Sequence, residues 1–199
     1  MSCLVVATRN RGKLKELQLL LAGVVDEILC PDDLKGFSDT VEDGDTFEEN
    51  ALKKAREAAL YSGLPALADD SGLIVEVLGG RPGVHSARFA GVGAGDAANN
   101  ARLLVELSDV TAADRLAAFV CVLAYVAADG SEKVFYGQVG GRILQQARGE
   151  CGFGYDPLFL VDGFDRTMAE LSLDEKNAVS HRGLAFRQFR EYCEKERPD

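Results

Sequence analysis

The spacing of apolar and polar positions cuts this chain into short strands and amphipathic helices. Leu4-Val5-Val6-Ala7 reads as a buried strand, and a polar loop then leads to a helix from Lys13 to Leu21. Its apolar positions Leu14, Leu17, Leu20 and Leu21 share one face. A connector over residues 29–49 ends in Thr46-Phe47-Glu48-Glu49, a capping box that opens a helix to about Tyr61, stopped at Ser62-Gly63. Leu64-Pro65-Ala66-Leu67-Ala68 predicts a second strand, ending on Asp69-Asp70 at the mouth of a sheet. Ser71-Gly72 predicts a turn into a further β-rich run, Leu73 to Val77. A glycine-rich loop over residues 79–91 precedes a helix from Asp96 to Leu107. Leu116 to Val126 and Lys133 to Val139, around Ala128-Asp129-Gly130-Ser131, predict a β-hairpin. Leu158 to Val161 predicts another strand. Ser180 is placed as N-cap of a last helix with apolar positions Ala185, Phe186, Phe189, Tyr192 and Cys193.

Composition narrows the class. A chain of 199 residues makes one domain, or one core with two lobes. Its 47% hydrophobic and 27% charged content is that of a soluble globular protein. No apolar run approaches the roughly 20 residues of a membrane span. Met1-Ser2-Cys3-Leu4 has neither basic lead nor cleavage site, so no signal peptide is expected. Cys3, Cys30, Cys121, Cys151 and Cys193 are an odd number without a C-x-x-C pair, which points to reduced thiols in a cytoplasm and against a zinc site. The net charge of -10 argues against nucleic-acid polymers and anionic membranes, yet leaves room for a small anionic ligand in a locally basic cleft.

The candidate chemistry lies in distant segments. Thr8-Arg9-Asn10-Arg11-Gly12-Lys13 is a strand–loop–helix junction with three cations, the geometry that offers backbone N–H groups to phosphate. It lacks the Gly-Lys-Ser/Thr of a Walker loop. Asp69-Asp70-Ser71-Gly72 has two readings: ordinary turn chemistry, or a carboxylate that holds a metal ion or activates a water. Successive strand residues point to opposite faces, so at most one of the two carboxylates faces a given cleft. The acidic connector, Glu42 and Asp43 included, offers oxygen ligands suited to magnesium. Lys53, Lys54 and Arg56 are by default solvent-facing helix charges. In Gly152-Phe153-Gly154-Tyr155-Asp156 the glycines permit close backbone approach, and Phe153 or Tyr155 can stack on a base. Lys176, His181 and Arg182 gather donors at a helix start.

These segments resemble the inosine triphosphate pyrophosphatase family, which hydrolyses non-standard purine nucleoside triphosphates. The likeness rests on Ala7 to Lys13, Thr46 to Ala55, Ala68 to Leu73, Pro82 to Phe89, Gly152 to Pro157 and Glu175 to Arg182, which fall in order from residue 7 to residue 182. It implies an α/β protein with a long mixed sheet, flanking helices and two lobes around a central nucleotide-binding cleft, usually a homodimer. It implies magnesium-dependent cleavage of ITP, dITP or XTP between the α and β phosphorus, giving a monophosphate and pyrophosphate. By that resemblance Asp70 is the catalytic carboxylate and, with Glu42, a metal ligand. Thr8, Arg9, Asn10, Arg11, Gly12, Lys13 and Lys54 meet the triphosphate, and Ser71 meets substrate. Phe153, Gly154, Tyr155 and Asp156 serve base and sugar, while Lys176, His181 and Arg182 read the 6-oxo purine edge. Arg9 stands where many members have glycine. Fixed donors at that edge would oppose the 6-amino group of adenine, a mismatch able to discriminate about 10⁴-fold. Two alternatives remain: a Maf-type (septum-inhibitor) pyrophosphatase acting on pyrimidine triphosphates, and a nucleotide sensor that binds without hydrolysis.

Overall fold

A computed structural model describes residues 1–196. Its strands are β1 (Cys3–Val6), β2 (Glu27–Leu29), β3 (Ala66–Val75), β4 (Leu116–Val126), β5 (Glu132–Ile143) and β6 (Phe159–Val161). Its helices are α1 (Arg11–Leu21), α2 (Phe47–Ser62), α3 (Gly95–Glu106), α4 (Leu173–Val179) and α5 (His181–Lys195). The strands form one mixed sheet in the order β2-β1-β3-β4-β5-β6. β1 pairs in parallel with β2 and with β3, whereas β5 and β6 are antiparallel. None of the helices among the described residues is long and apolar enough to cross a membrane.

The chain divides into two units, the first made of Met1–Asp70, Cys121–Gly137 and the chain from Arg182 onward. Here β1 is covered on both faces, which explains its unbroken apolar run. Leu4 and Val6 join Leu17 and Leu21 of α1 and Ala185, Phe186 and Phe189 of α5 in one cluster. Val5 and Ala7 join Ala51, Ala55 and Ala58 of α2 in another. β3 obeys the same parity, with Leu67 on the α1/α5 side and Ala66 and Ala68 on the α2 side. The small side chains of α2 let its backbone lie close to the sheet. Its capping box forms as the sequence predicts, and Gly63 closes it at φ 68°, where a Cβ would be strained.

The second unit holds Ser71–Val120 and Gln138–His181. Leu103 and Leu107 pack there with Phe119, Ile143, Phe159, Val161, Met168 and Leu171.

Several elements differ from the pattern reading. Ser71-Gly72 is not a turn: β3 runs straight through it, because sheet pairing overrides a local turn preference. Asp69 and Asp70 therefore lie mid-strand and buried, not at a strand end. The hairpin exists, but β5 extends to Ile143. The glycine-rich loop contains a 3-10 helix, Gly83–Arg88. Ser180 does separate two helices, of which α4 was not foreseen.

Candidate active site

In the first unit the parity of β3 decides where each carboxylate goes. Asp69 shares the face of Leu67 and meets α1 and α5: Lys13 Nζ lies 3.0 Å from its Oδ2, and Arg182 Nε lies 3.2 Å from the same oxygen. Arg182 also donates to Glu16, three residues along α1 from Lys13. Burial pushes the Asp69 carboxyl pKa up, but Lys13, Arg182 and Lys54 together outweigh it and hold the group well below the usual carboxylate range. The Arg182 guanidinium is likewise disfavoured by burial and raised overall by Asp69 and Glu16.

Asp70 shares the α2 face. Lys54 Nζ lies 3.1 Å from Asp70 Oδ1 and 2.7 Å from Glu42 Oε1, and donates to the Asp69 carbonyl at 2.7 Å. Lys54 is thus buried rather than solvent-facing, contrary to its default reading, because three acceptors converge on its ammonium. Burial alone would lower its pKa; Asp70, Asp69 and Glu42 reverse the sign and raise it. Asp70 is pushed above its ordinary value, first by burial and further by Glu42, with Lys54 and Lys13 pulling the other way. Of the two adjacent acids in the connector, Glu42 shares Lys54 with Asp70 while Asp43 turns to Lys53 at 2.6 Å.

The amino-terminal loop is organised by its own side chains. Asn10 N–H donates to Thr8 Oγ1 at 3.2 Å, and Asn10 Oδ1 caps α1 by accepting from Lys13 N–H at 3.1 Å. Arg9 turns to the acidic connector, where Asp32, Asp39 and the Phe37 carbonyl accept from it. Its partners lie on the exposed connector, whereas Lys13 pairs with Asp69 on β3. Arg11 is exposed, and Gly12 and Ser71 are partly buried.

In the second unit, buried Lys176 donates to Asp156 Oδ2, and its ammonium stands 4.6 Å from the centre of the Phe153 ring. Asp156 Oδ2 also accepts from Phe153 N–H at 2.9 Å. A Cβ on Gly152, at φ 78°, would meet that oxygen at 2.1 Å, so only glycine fits. Gly154 is held by Asp96 through its N–H and by Asn100 through its carbonyl. Tyr155 does not offer its ring as an open platform: it is buried in the core and its hydroxyl donates to the Ser86 carbonyl at 2.9 Å. The His181 ring is buried and stacks on Phe119 at 4.8 Å.

Arg182 departs most from its expected place, since its side chain is 2% exposed and its guanidinium serves Asp69 and Glu16. Glu16, Asn50 and Phe119 are additions that pattern reading missed. Glu16 carried a signal, being a charge one position from Leu17 on the buried side of α1.

The carboxylates fit a hard divalent cation. Glu42 and Asp70 present oxygen only, and both already converge on a single cationic nitrogen. Among the described residues no group of three or more His, Cys, Asp or Glu is gathered for a metal. A pair of carboxylates is the donor set magnesium takes from a protein, its other positions going to waters or substrate phosphates.

A mixed sheet flanked by helices, with paired carboxylates and lysines converging on β3, defines the class: an α/β protein. The chain belongs to the Ham1 family, whose model matches residues 4–192. It is 53% identical over 192 residues to a Geobacter sulfurreducens protein named dITP/XTP pyrophosphatase, covering 96% of each chain. The Ham1 protein of Staphylococcus aureus superposes with a TM-score of 0.87 at 41% identity, covering 98% of this chain and 100% of that one. A HAM1 protein from Coxiella burnetii gives 0.88 at 41% identity over the same shares.

Proposed function

We propose that this protein hydrolyses non-canonical purine nucleoside triphosphates, dITP, ITP and XTP, to the monophosphate and pyrophosphate. The observation that carries the reading is Lys54 Nζ set between Glu42 and Asp70, with Lys13 held by the neighbouring Asp69. The name dITP/XTP pyrophosphatase borne by relatives near half identity supports the substrate class. In this reading Lys13 and Lys54 balance charge on the phosphate oxygens, together with α1's N-terminal backbone. Asp70 accepts the proton of a water that attacks the α phosphorus. The bond to the bridging oxygen breaks, and pyrophosphate leaves with that oxygen. Burial raises Asp70's basicity, which favours proton acceptance. Glu42 and Asp70 would hold magnesium, which supplies further neutralisation of the phosphates when bound. Phe153, Asp156, Lys176 and His181 serve base and sugar, and Arg182 acts through Asp69. The family resemblance extends the proposal to a homodimer in the cytoplasm.

A steady-state pyrophosphate-release assay over dITP, ITP, XTP, ATP, dTTP and UTP, with and without magnesium, tests this. Turnover of the 6-oxo purines that stops on removing magnesium is expected. Preference for dTTP or UTP would instead favour the Maf-type activity, and nucleotide binding without pyrophosphate would favour a sensor.

A further inference from the structure

Asn50 lies among the buried residues of α2, with Ala51, Lys54, Ala55 and Ala58, and is fully buried. A carboxamide in such a place is costly unless its polar atoms are paired, and asparagine is a poorer helix former than alanine. Helix formation therefore does not explain it. Its partners do. Gly44 N–H donates to Asn50 Oδ1 at 2.9 Å, and Asn50 Nδ2 donates back to the Gly44 carbonyl at 3.3 Å. A side-chain amide thus grips both polar groups of one residue. Nδ2 carries two hydrogens, and a second, longer contact reaches Asp70 Oδ2 at 3.4 Å.

Gly44 is two residues beyond Glu42. It approaches Asn50 so closely that a Cβ would meet Asn50 Oδ1 at 2.9 Å and Glu49 Cβ at 2.8 Å. Of the connector's other ties nearby, Asp43 to Lys53 is exposed on the Asp43 side and contributes little, Glu42 to Lys54 holds a side chain rather than the backbone, and the Asp45 N–H to Glu49 bond is exposed. Asn50 is the fully buried side chain that grips the connector's backbone.

We infer that Asn50 is a positioning residue: its carboxamide latches the segment carrying Glu42 to the strand carrying Asp70 and so fixes the spacing of the two carboxylates. The inference rests on the reading of Glu42 and Asp70 as a metal pair. Groups that orient metal ligands affect affinity without touching the ion, typically by about 10- to 100-fold.

Manganese binding to the intact, nucleotide-free protein, followed by electron paramagnetic resonance, reads this spacing without any turnover. Asn50→Ala is expected to weaken manganese binding about 10-fold or more. Gly44→Ala breaks the same latch from the loop side, leaves the α2 sequence unaltered, and is expected to do the same; it stands even if Asn50→Ala does not fold. Thr46→Ala removes the α2 N-cap and should lower the melting temperature while leaving the manganese affinity in place. Wild-type manganese affinity in a folded latch variant would reduce Asn50 to a structural residue and overturn the inference alone. A wild-type protein that binds no manganese would overturn the metal pair itself, and the inference with it.

Discussion

Arg182 is a cation wholly inside the first unit, shared by Asp69 and Glu16. Truncating it leaves two buried carboxylates short of a partner. Arg182→Ala should therefore destabilise the protein by about 3–5 kcal/mol, measured by urea unfolding. Arg182→Lys should recover only part, since an ammonium cannot span both carboxylates as the guanidinium fork does. Stability within error of wild type would remove the structural role given to this side chain. Several residue-level features could be read from the sequence alone. Adjacent carboxylates on one strand had to face opposite ways, and they do: Asp69 to Lys13, Asp70 to Lys54. Other features depended on partners distant in sequence. Nothing local to Arg9 foretells that Asp32 and Asp39 accept from it. Tyr155 looked like a stacking surface until Ser86 took its hydroxyl.

Elements whose signals are local matched the sequence best. α2 begins at the Thr46/Glu49 capping box and ends at Gly63, both readable within a few residues. β3 did not, because Asp-Ser-Gly favours a turn locally and only the sheet keeps it extended. α4 was missed for its brevity, although it too opens with a capping box, Ser172 with Glu175. That cap has a pH signature. The Glu175 carboxyl is lowered from the ordinary 4.5 to about 2 by Arg166 and by the Ser172 N–H. A depressed carboxyl stabilises the folded state above its unfolded pKa, so the contribution should be full above about pH 4.5 and vanish as pH falls through about 2. A carbon-detected NMR titration should place Glu175 near pH 2, and Arg166→Ala should move it upward. A Glu175 that titrates near 4.5 in the wild-type protein would contradict the cap geometry.

At the scale of the whole molecule, each unit has its own apolar clusters, and the charged groups assigned to phosphate chemistry gather on β3, α1 and α2 of the first. A net charge of -10 masks this gathering, because four of those groups pair as cation and anion, Lys13 with Asp69 and Lys54 with Asp70, all but Lys13 buried. The α/β class followed from the family resemblance, and the order of most strands and helices from periodicity. The burial of those charges did not, since it depends on helices far along the chain meeting one strand. The claim on which the function rests is that the Asp70 carboxylate takes the proton from the attacking water. Pyrophosphate release from dITP by Asp70→Asn, with nucleotide binding measured in parallel, tests it most directly. The variant should still bind dITP while turnover falls by about 10²- to 10⁴-fold; release at the wild-type rate would contradict the account.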